Sequence, residues 1–295
     1  MPNLLPEVPP MLKRFSGLIP LLAAVLLTLP ACGKKPTATV PDSTPAPVPG
    51  PKPQPGQNPG TGTNPGVLTD PSLPNPPAQK PLFSLAVTVA AARDAHLTNL
   101  KQIGLGFQNA NDTFQNIPTG IADKNGKVGL SWRVALLPFL EQENLYKEFK
   151  LDEPWDSEHN KKLIVKMPKI YAPSNMNTFG YTFYRSFSGK DTVMPPPTRM
   201  FAAGATVTAM SLATIPDGSS NTLLVAEAYD PVIWTKPDEL AFTPGSPPKL
   251  GGGVFSNGFC ALFADGTARF LPMNLTPAEL SNLIQTNDGK TVNLP

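Results

Sequence analysis

The densest group of side chains that could do chemistry lies in a short polar run, residues 152–159. It contains four carboxylates, one imidazole and one indole, supplied by Asp152, Glu153, Asp156, Glu158, His159 and Trp155. Carboxylates at this spacing could bind a cation or act as a general acid and base pair. A Ca²⁺ site needs about six to eight oxygen ligands at a recognisable loop spacing, which this run lacks. A solvated loop with helix capping explains the same residues, so we predict no metal and no cofactor here.

A serine loop and a lone cysteine are the other candidates for chemistry. The loop Asp217 to Thr222 lacks the Gly-x-Ser-x-Gly elbow of serine hydrolases, and only His96 and His159 are available as imidazole bases. A turn stabilised by Asp and Asn side chains explains this loop better. Cys260 lies in an apolar run and is predicted to be buried and inert. We therefore predict that the protein is not an enzyme.

The alternative function is an extracytoplasmic hydrolase that uses the cluster Asp152, Glu153, Asp156 and His159. The competing interpretation is a binding function, because tryptophans beside proline or charged residues could line a groove for a sugar or a peptide. Most such tryptophans belong to a core. The candidate polar surface or ligand site consists of Asp152, Glu153, Trp155, Asp156, His159, Trp234 and Lys236.

The amino terminus has the order of a secretory signal. Lys13 and Arg14 precede an apolar run over residues 18–29, which ends in Leu-Pro-Ala-Cys at Cys32. The run is shorter than the roughly 20 apolar residues of a membrane-spanning helix. The tetrapeptide resembles the lipobox of bacterial lipoproteins, which implies cleavage before Cys32 and lipidation of its sulfur. The alternative is an ordinary cleaved signal followed by a coincidental cysteine.

Charge and cysteine content narrow the partners and the location. The formal net charge is +2, and Lys and Arg are scattered among similar numbers of Asp and Glu, so we predict no nucleic-acid partner. The predicted partners are a membrane, contacted through the lipid anchor, and an envelope protein or polysaccharide. The predicted location is extracytoplasmic, anchored to the cell envelope. Gly33 after the lipidated cysteine is not an acidic inner-membrane retention signal, which favours the outer membrane by resemblance to lipoprotein sorting.

Composition divides the chain into three parts. Residues 1–31 form the lipoprotein signal peptide. Residues 32–80 form a spacer, because 14 prolines fall within positions 36–80 and large apolar side chains are almost absent. Such a stretch cannot bury a core and is predicted to be disordered and extended. Residues 81–295 form one folded domain, long enough for a sizeable core.

Helical periodicity is strongest at the start of this domain. Apolar positions alternate at spacings of three and four from about Leu85 to Asn111, and His96 lies on the same face, where a core role is expected. Gly104 and Gly106 indicate close packing against another element. A second helical region over residues 131–149 should be split by Pro138, and a third, short helix should end near Val165.

The sequence pattern changes from helix-like to strand-like in the second half of the domain. Residues 181–187 and 222–228 have strand composition, and Asp265-Gly266 joins two further strands into a hairpin. Thr276-Pro277-Ala278-Glu279 begins a terminal helix with a capping box. The predicted fold class is α+β and pilin-like, with a long N-terminal helix packed on an antiparallel β-sheet, extra short helices and a C-terminal helix.

The domain contains six ordered sequence blocks: NLKQIGLGFQN (99–109), SWRVALLPFLEQENLY (131–146), LDEPWDSEHN (151–160), DGSSNTLLVAE (217–227), WTKPDEL (234–240) and FADGTARFL (263–271). Together these blocks resemble the domain of unknown function 1559, DUF1559. The resemblance implies a pilin-like family, expanded in planctomycetes, that usually carries a prepilin-type amino terminus and has no established reaction.

This chain departs from the family pattern at its amino terminus and at two internal positions. A lipoprotein signal and a spacer replace the prepilin cleavage site, which favours a tethered monomer or small complex over a pilus. A histidine of many members is replaced by Phe255, and a cysteine by Ala172. We therefore predict an envelope lipoprotein whose pilin-like domain has a binding or scaffolding role at the cell surface or in the periplasm.

Overall fold

The structure is a computed structural model that describes residues 86–172, 179–197 and 199–294. The predicted signal peptide, the lipidation site Cys32 and the spacer lie outside the described residues. The α-helices are α1 (Ala86–Phe114), α2 (Trp132–Ala135), α3 (Glu143–Glu148) and α4 (Pro277–Ile284). The strands are β1 (Pro118–Ala122), β2 (Val128–Ser131), β3 (Tyr181–Arg185), β4 (Phe187–Ser188), β5 (Thr206–Thr208), β6 (Leu223–Ile233), β7 (Leu240–Ala241), β8 (Gly258–Phe263) and β9 (Ala268–Pro272).

The central sheet has the strand order β3-β6-β8-β9, and all of its pairs are antiparallel. Helix α1 packs against β8 and β9. Its buried side chains recur at spacings of three and four residues, which places them on one face of the helix. They are Ala92, His96, Leu100, Ile103, Phe107 and Ala110. The same face buries an imidazole among apolar side chains, and this imidazole is central to the site described below.

Two glycines permit the close approach of α1 to its neighbours. A Cβ atom on Gly104 would lie 2.9 Å from Cδ1 of Leu262 and 3.2 Å from Cα of Gly266 in the β8–β9 turn. A Cβ atom on Gly106 would lie 2.8 Å from Cδ2 of Leu140. These contacts confirm that the glycines mark close packing.

Two smaller sheets complete the fold. One has the order β2-β1-β5 and is antiparallel, and the other pairs β4 with β7 in parallel. The sequence did not predict β1, β2 or β5. All three are short, and β1 contains Pro118 and Gly120 while β2 contains Gly129. Strands β1 and β2 form a hairpin, whereas the pairing of β5 with β1 is a long-range contact, which local composition does not report.

Most local predictions match the described elements. The second helical region is split into α2, a 3₁₀-helix at Leu137–Leu140 and α3. The hairpin forms around Asp265-Gly266, and α4 has its capping box between Thr276 and Glu279. The third, short helix is present at Asn160–Lys166 and is a 3₁₀-helix. Strand β6 continues past the predicted end at Ala228 to Ile233, because a bulge opposite β3 accommodates Pro231.

The fold is therefore mixed α+β, with antiparallel sheets and a few helices, as predicted. Among the described residues, no helix is both long and apolar enough to cross a membrane.

Candidate functional site

The predicted polar run is a loop organised by the buried side chain of Asn160. Its Oδ1 accepts a hydrogen bond from the Lys150 N–H (3.0 Å), and its Nδ2 donates to the carbonyl oxygens of Lys150 (2.9 Å), Glu153 (3.1 Å) and Pro154 (3.1 Å). A buried amide that bonds three backbone positions fixes the path of the loop. Asn160 ends one of the quoted sequence blocks, but its role was not predicted.

The charged groups of this loop make local contacts. Oε1 of Glu153 lies 3.1 Å from Nζ of Lys150, and hydrogen bonds from Ser157 and Lys150 hold the pKa of Glu153 below its ordinary value. Nε2 of His159 lies 2.7 Å from the Glu148 carbonyl oxygen. Asp152 and Asp156 are exposed. These contacts account for the loop structurally and do not converge on a common point.

The structure separates the two tryptophans of the candidate surface. Trp155 is half-buried, and Nζ of Lys236 lies 5.9 Å from the centroid of its ring, at cation–π distance. Trp234 is fully buried, and its Nε1 donates a hydrogen bond to the Ile164 carbonyl oxygen (2.9 Å). The loop and Lys236 therefore share one surface, whereas Trp234 is part of the core.

A groove of about 400 Å³ lies beside Lys236, between the two smaller sheets. One wall is the segment Met194–Pro197, which contains three consecutive prolines. The other sides are formed by strand residues Thr119, Val128, Ser188 and Ala241 and by Pro237, Asp238 and Glu239. Strands and prolines restrict the backbone, so the groove is formed before any ligand arrives.

The carboxylates of the groove are held by a network of arginines. The buried guanidinium of Arg133 donates two hydrogen bonds to Glu239, from Nη1 to Oε1 (3.1 Å) and from Nη2 to Oε2 (3.3 Å). Its Nε donates to the Tyr184 carbonyl oxygen (3.0 Å). Nη2 of Arg185 lies 2.8 Å from Oδ1 of Asp238. This bidentate geometry fixes the orientation of Glu239 at the groove.

In this network, burial and the nearby opposite charges shift the pKa values of the side chains in opposite directions. Burial lowers the pKa of Arg133, and the negative charge of Glu239 opposes that shift. Although burial raises the pKa of Asp238, the hydrogen bond from Lys236 and the charge of Arg185 bring it below its ordinary value. This network was not predicted from the sequence. The available signal was Arg133 itself, a single charge inside an apolar run.

A second candidate site, the buried centre, consists of His96 on α1, Glu227 on β6 and Cys260 on β8. All three residues are at most 1 % exposed. Nδ1 of His96 contacts Oε1 of Glu227, and the Cys260 N–H donates to Oε2 of the same carboxylate (2.7 Å). One ligand atom from each side chain can be chosen so that all three lie within 4.8 Å of one another.

Cys260 is not in the state of a nucleophilic thiol. Burial raises its pKa, and the negative charge of Glu227 raises it further. A nucleophilic cysteine needs the opposite shift and access for a substrate. A Cys–His–Glu arrangement buried this deeply is therefore unsuited to attack on an external substrate.

Tyr184 extends the buried centre. It lies directly opposite Glu227 in the β3–β6 pair, and its ring meets the His96 ring edge-on with centroids 5.9 Å apart. Burial raises its pKa well above the ordinary value, and the charges of Glu227 and Cys260 act in the same direction. Among the described side chains, its hydroxyl is one of three buried polar groups without a hydrogen-bond partner of acceptable geometry, although Asn99 lies beside it.

Together, the fold and sites define a mixed α+β domain with antiparallel sheets, a few helices and a buried polar centre. The chain belongs to the DUF1559 family, described as "Protein of unknown function", whose model matches residues 90–253. The last quoted sequence block, residues 263–271, lies beyond the matched region. No curated protein and no solved structure matches the chain.

Proposed function

We propose that this protein is an envelope lipoprotein whose pilin-like domain binds a component of the envelope outside the cytoplasm. The observation that supports binding is the pre-formed groove beside Lys236. Its volume of about 400 Å³ falls within the range of about 300–1,000 Å³ typical of ligand sites. The groove combines apolar walls with a few fixed polar groups, which is the usual composition of a recognition site.

The chemistry of the groove suggests an extended, weakly polar ligand. The wall Met194–Pro197 and the strand residues Val128 and Ala241 offer apolar contact. Asp238 is partly exposed, so it can accept a hydrogen bond, while Glu239 is occupied by Arg133 and by the Ser186 N–H (2.6 Å). A segment of an envelope protein and a polysaccharide chain both present such a surface.

A lipid anchor at Cys32 followed by a spacer would suit this role. The spacer holds 49 residues, 32–80, and proline-rich chain is stiff and extended, so it would lift the domain off the membrane. A pilin-like arrangement is supported by the packing of α1 against β8 and β9 of the central sheet.

A groove-filling substitution tests the binding role. Ala241→Arg places a long side chain at the groove, whereas Ala213→Arg makes the same change on an exposed residue of the 3₁₀-helix Leu212–Thr214. We expect the wild-type protein and Ala213→Arg to co-sediment with isolated envelope fragments and Ala241→Arg to lose at least about tenfold in affinity, equivalent to about 1.4 kcal/mol.

Pretreating the fragments identifies the ligand class. Loss of binding after protease treatment indicates an envelope protein, and loss after glycosidase treatment indicates a polysaccharide. Equal binding by all three forms of the protein would contradict a role for the groove.

The hydrolase alternative receives no comparable support. Glu153 and His159 are engaged with neighbouring residues of the same segment, and Asp152 and Asp156 are exposed. A general acid and base pair needs a common substrate position within hydrogen-bond reach.

A further inference from the structure

Three potential metal ligands converge on one buried point from three different elements. His96 comes from α1, Glu227 from β6 and Cys260 from β8, and their ligand atoms lie within 4.8 Å of one another. Metal–ligand bonds of about 2.0–2.3 Å place the ligands of a tetrahedral Zn²⁺ roughly 3–4 Å apart. A spread of at most 4.8 Å is close to that spacing.

The donor set selects a class of metal. An imidazole, a carboxylate and a thiolate are each ordinary ligands of Zn²⁺. Ca²⁺ and Mg²⁺ are bound by oxygen, and only Glu227 offers an oxygen among the three side chains. Mixed nitrogen, oxygen and sulfur donors therefore favour Zn²⁺ and similar transition-metal ions.

The ligands are already oriented by their surroundings. The Cys260 N–H donates to Oε2 of Glu227 (2.7 Å), which turns Oε1 toward His96. The His96 ring is held edge-on by Tyr184 and by Phe255, with centroids 5.9 and 5.2 Å away. Contacts of this kind fix the orientation of metal ligands and raise metal affinity.

The hydroxyl of Tyr184 is an independent indication of a ligand. It is buried, no hydrogen bond of acceptable geometry reaches it among the described residues although Asn99 lies beside it, and it belongs to the strand residue opposite Glu227. A buried polar group without a partner costs about 1–3 kcal/mol. A metal-bound water, or another fourth ligand, would give this hydroxyl a partner.

We propose that His96, Glu227 and Cys260 bind one Zn²⁺-like cation, with Tyr184 beside its fourth coordination position. The metal joins α1 to two strands of the central sheet. When the metal binds, the proton between Nδ1 of His96 and Oε1 of Glu227 is displaced, and the neutral imidazole carries its proton on Nε2. The Cys260 thiol loses its proton to solvent, because the thiolate is the ligand. This site is separate from the groove and does not depend on the proposed binding function.

Cobalt substitution provides a direct test. The full chain carrying Cys32→Ser retains Cys260 as its only cysteine, so any thiolate-to-cobalt absorption band must come from Cys260. The protein is unfolded in urea with EDTA and refolded with Co²⁺, since the ligands are buried. We expect one Co²⁺ per chain, a near-ultraviolet thiolate band, loss of this band on addition of Zn²⁺, and a higher Tm than for the metal-free protein.

Variants assign the other ligands. We expect Cys260→Ala to abolish the band, and His96→Gln and Glu227→Gln to weaken Co²⁺ binding at least about tenfold. His159→Gln removes the other histidine, which is on the surface loop, and should leave binding unchanged.

Absence of the band from the refolded Cys32→Ser protein with native circular dichroism would overturn the proposal. So would a band of equal affinity in a folded His96→Gln variant. If the His96 and Glu227 variants do not fold, the thiolate band and metal stoichiometry of the Cys32→Ser protein still decide the question.

Discussion

Nδ1 of His96 contacts Oε1 of Glu227, so the first helix meets the central strand β6 through two polar side chains 131 positions apart in sequence. Both residues are at most 1 % exposed. The carboxylate also accepts the N–H of Cys260 on the adjacent strand. One side chain thus links α1, β6 and β8, and the core is organised around a polar contact.

Removal of this carboxylate should destabilise the metal-free domain strongly. Glu227→Ala removes the acceptor of the Cys260 N–H and the carboxylate that contacts Nδ1 of His96, both in a buried setting. We expect the free energy of unfolding to fall by about 3–5 kcal/mol, measured by urea denaturation in EDTA. Glu148→Ala, at an exposed position, serves as the control. A change of less than about 1 kcal/mol in Glu227→Ala would show that the contact is not a structural link.

The Arg133–Glu239 pair should show strong energetic coupling. Arg133→Met leaves the Glu239 carboxylate nearly buried without its bidentate partner, and we expect a loss of about 3–5 kcal/mol. A double-mutant cycle with Glu239→Met should give a coupling energy above about 1 kcal/mol. The exposed pair Lys162–Glu158 is the control, with an expected coupling below about 0.5 kcal/mol. Equal coupling in the two pairs would contradict the proposed support of the groove.

The buried thiol makes the stability of the metal-free domain depend on alkaline pH. Burial raises the pKa of Cys260 above the value of about 8.5 expected in the unfolded chain. The folded state therefore keeps this proton where the unfolded state loses it. The resulting stabilisation is fully present below about pH 8.5 and declines above it, by at most about 1.4 kcal/mol per pH unit.

Cys260→Ala removes that contribution. In a Cys32→Ser background with EDTA, we expect the unfolding free energy to fall more steeply between about pH 8.5 and 10 in the parent than in the variant. Iodoacetamide should label Cys260 only after unfolding, because the folded thiol is buried and protonated. Parallel pH curves, or rapid labelling of the folded protein, would disagree with this description.

The sequence predicted the elements whose residues carry a local signal. The 3–4 spacing on α1, the Asp265-Gly266 turn and the capping box at Thr276 each depend on neighbouring residues, and each has its counterpart in the structure. Strands β1 and β2 pair locally around Asn125-Gly126, a turn signal that was missed because both strands are short, whereas β5 pairs with β1 from a distant part of the sequence.

The sites were less predictable for the same reason. His96, Glu227 and Cys260 are each one polar residue in an apolar run, and only the packing of α1 on the sheet brings them together. A buried position was predicted for His96 and for Cys260, and both predictions are confirmed. The run 152–159 was a candidate site because its charged residues are close in sequence. In the structure it is a loop held by hydrogen bonds from the Asn160 side chain to the backbone.

The central claim of an envelope lipoprotein is tested most directly by intact mass spectrometry of the membrane fraction from the native cell, comparing wild type with Cys32→Ala. We expect a chain that begins at Cys32 and carries a diacylglyceryl group, and we expect this species to be absent from the variant. An unmodified chain in the soluble fraction of the wild type would contradict the lipid anchor and the proposed location.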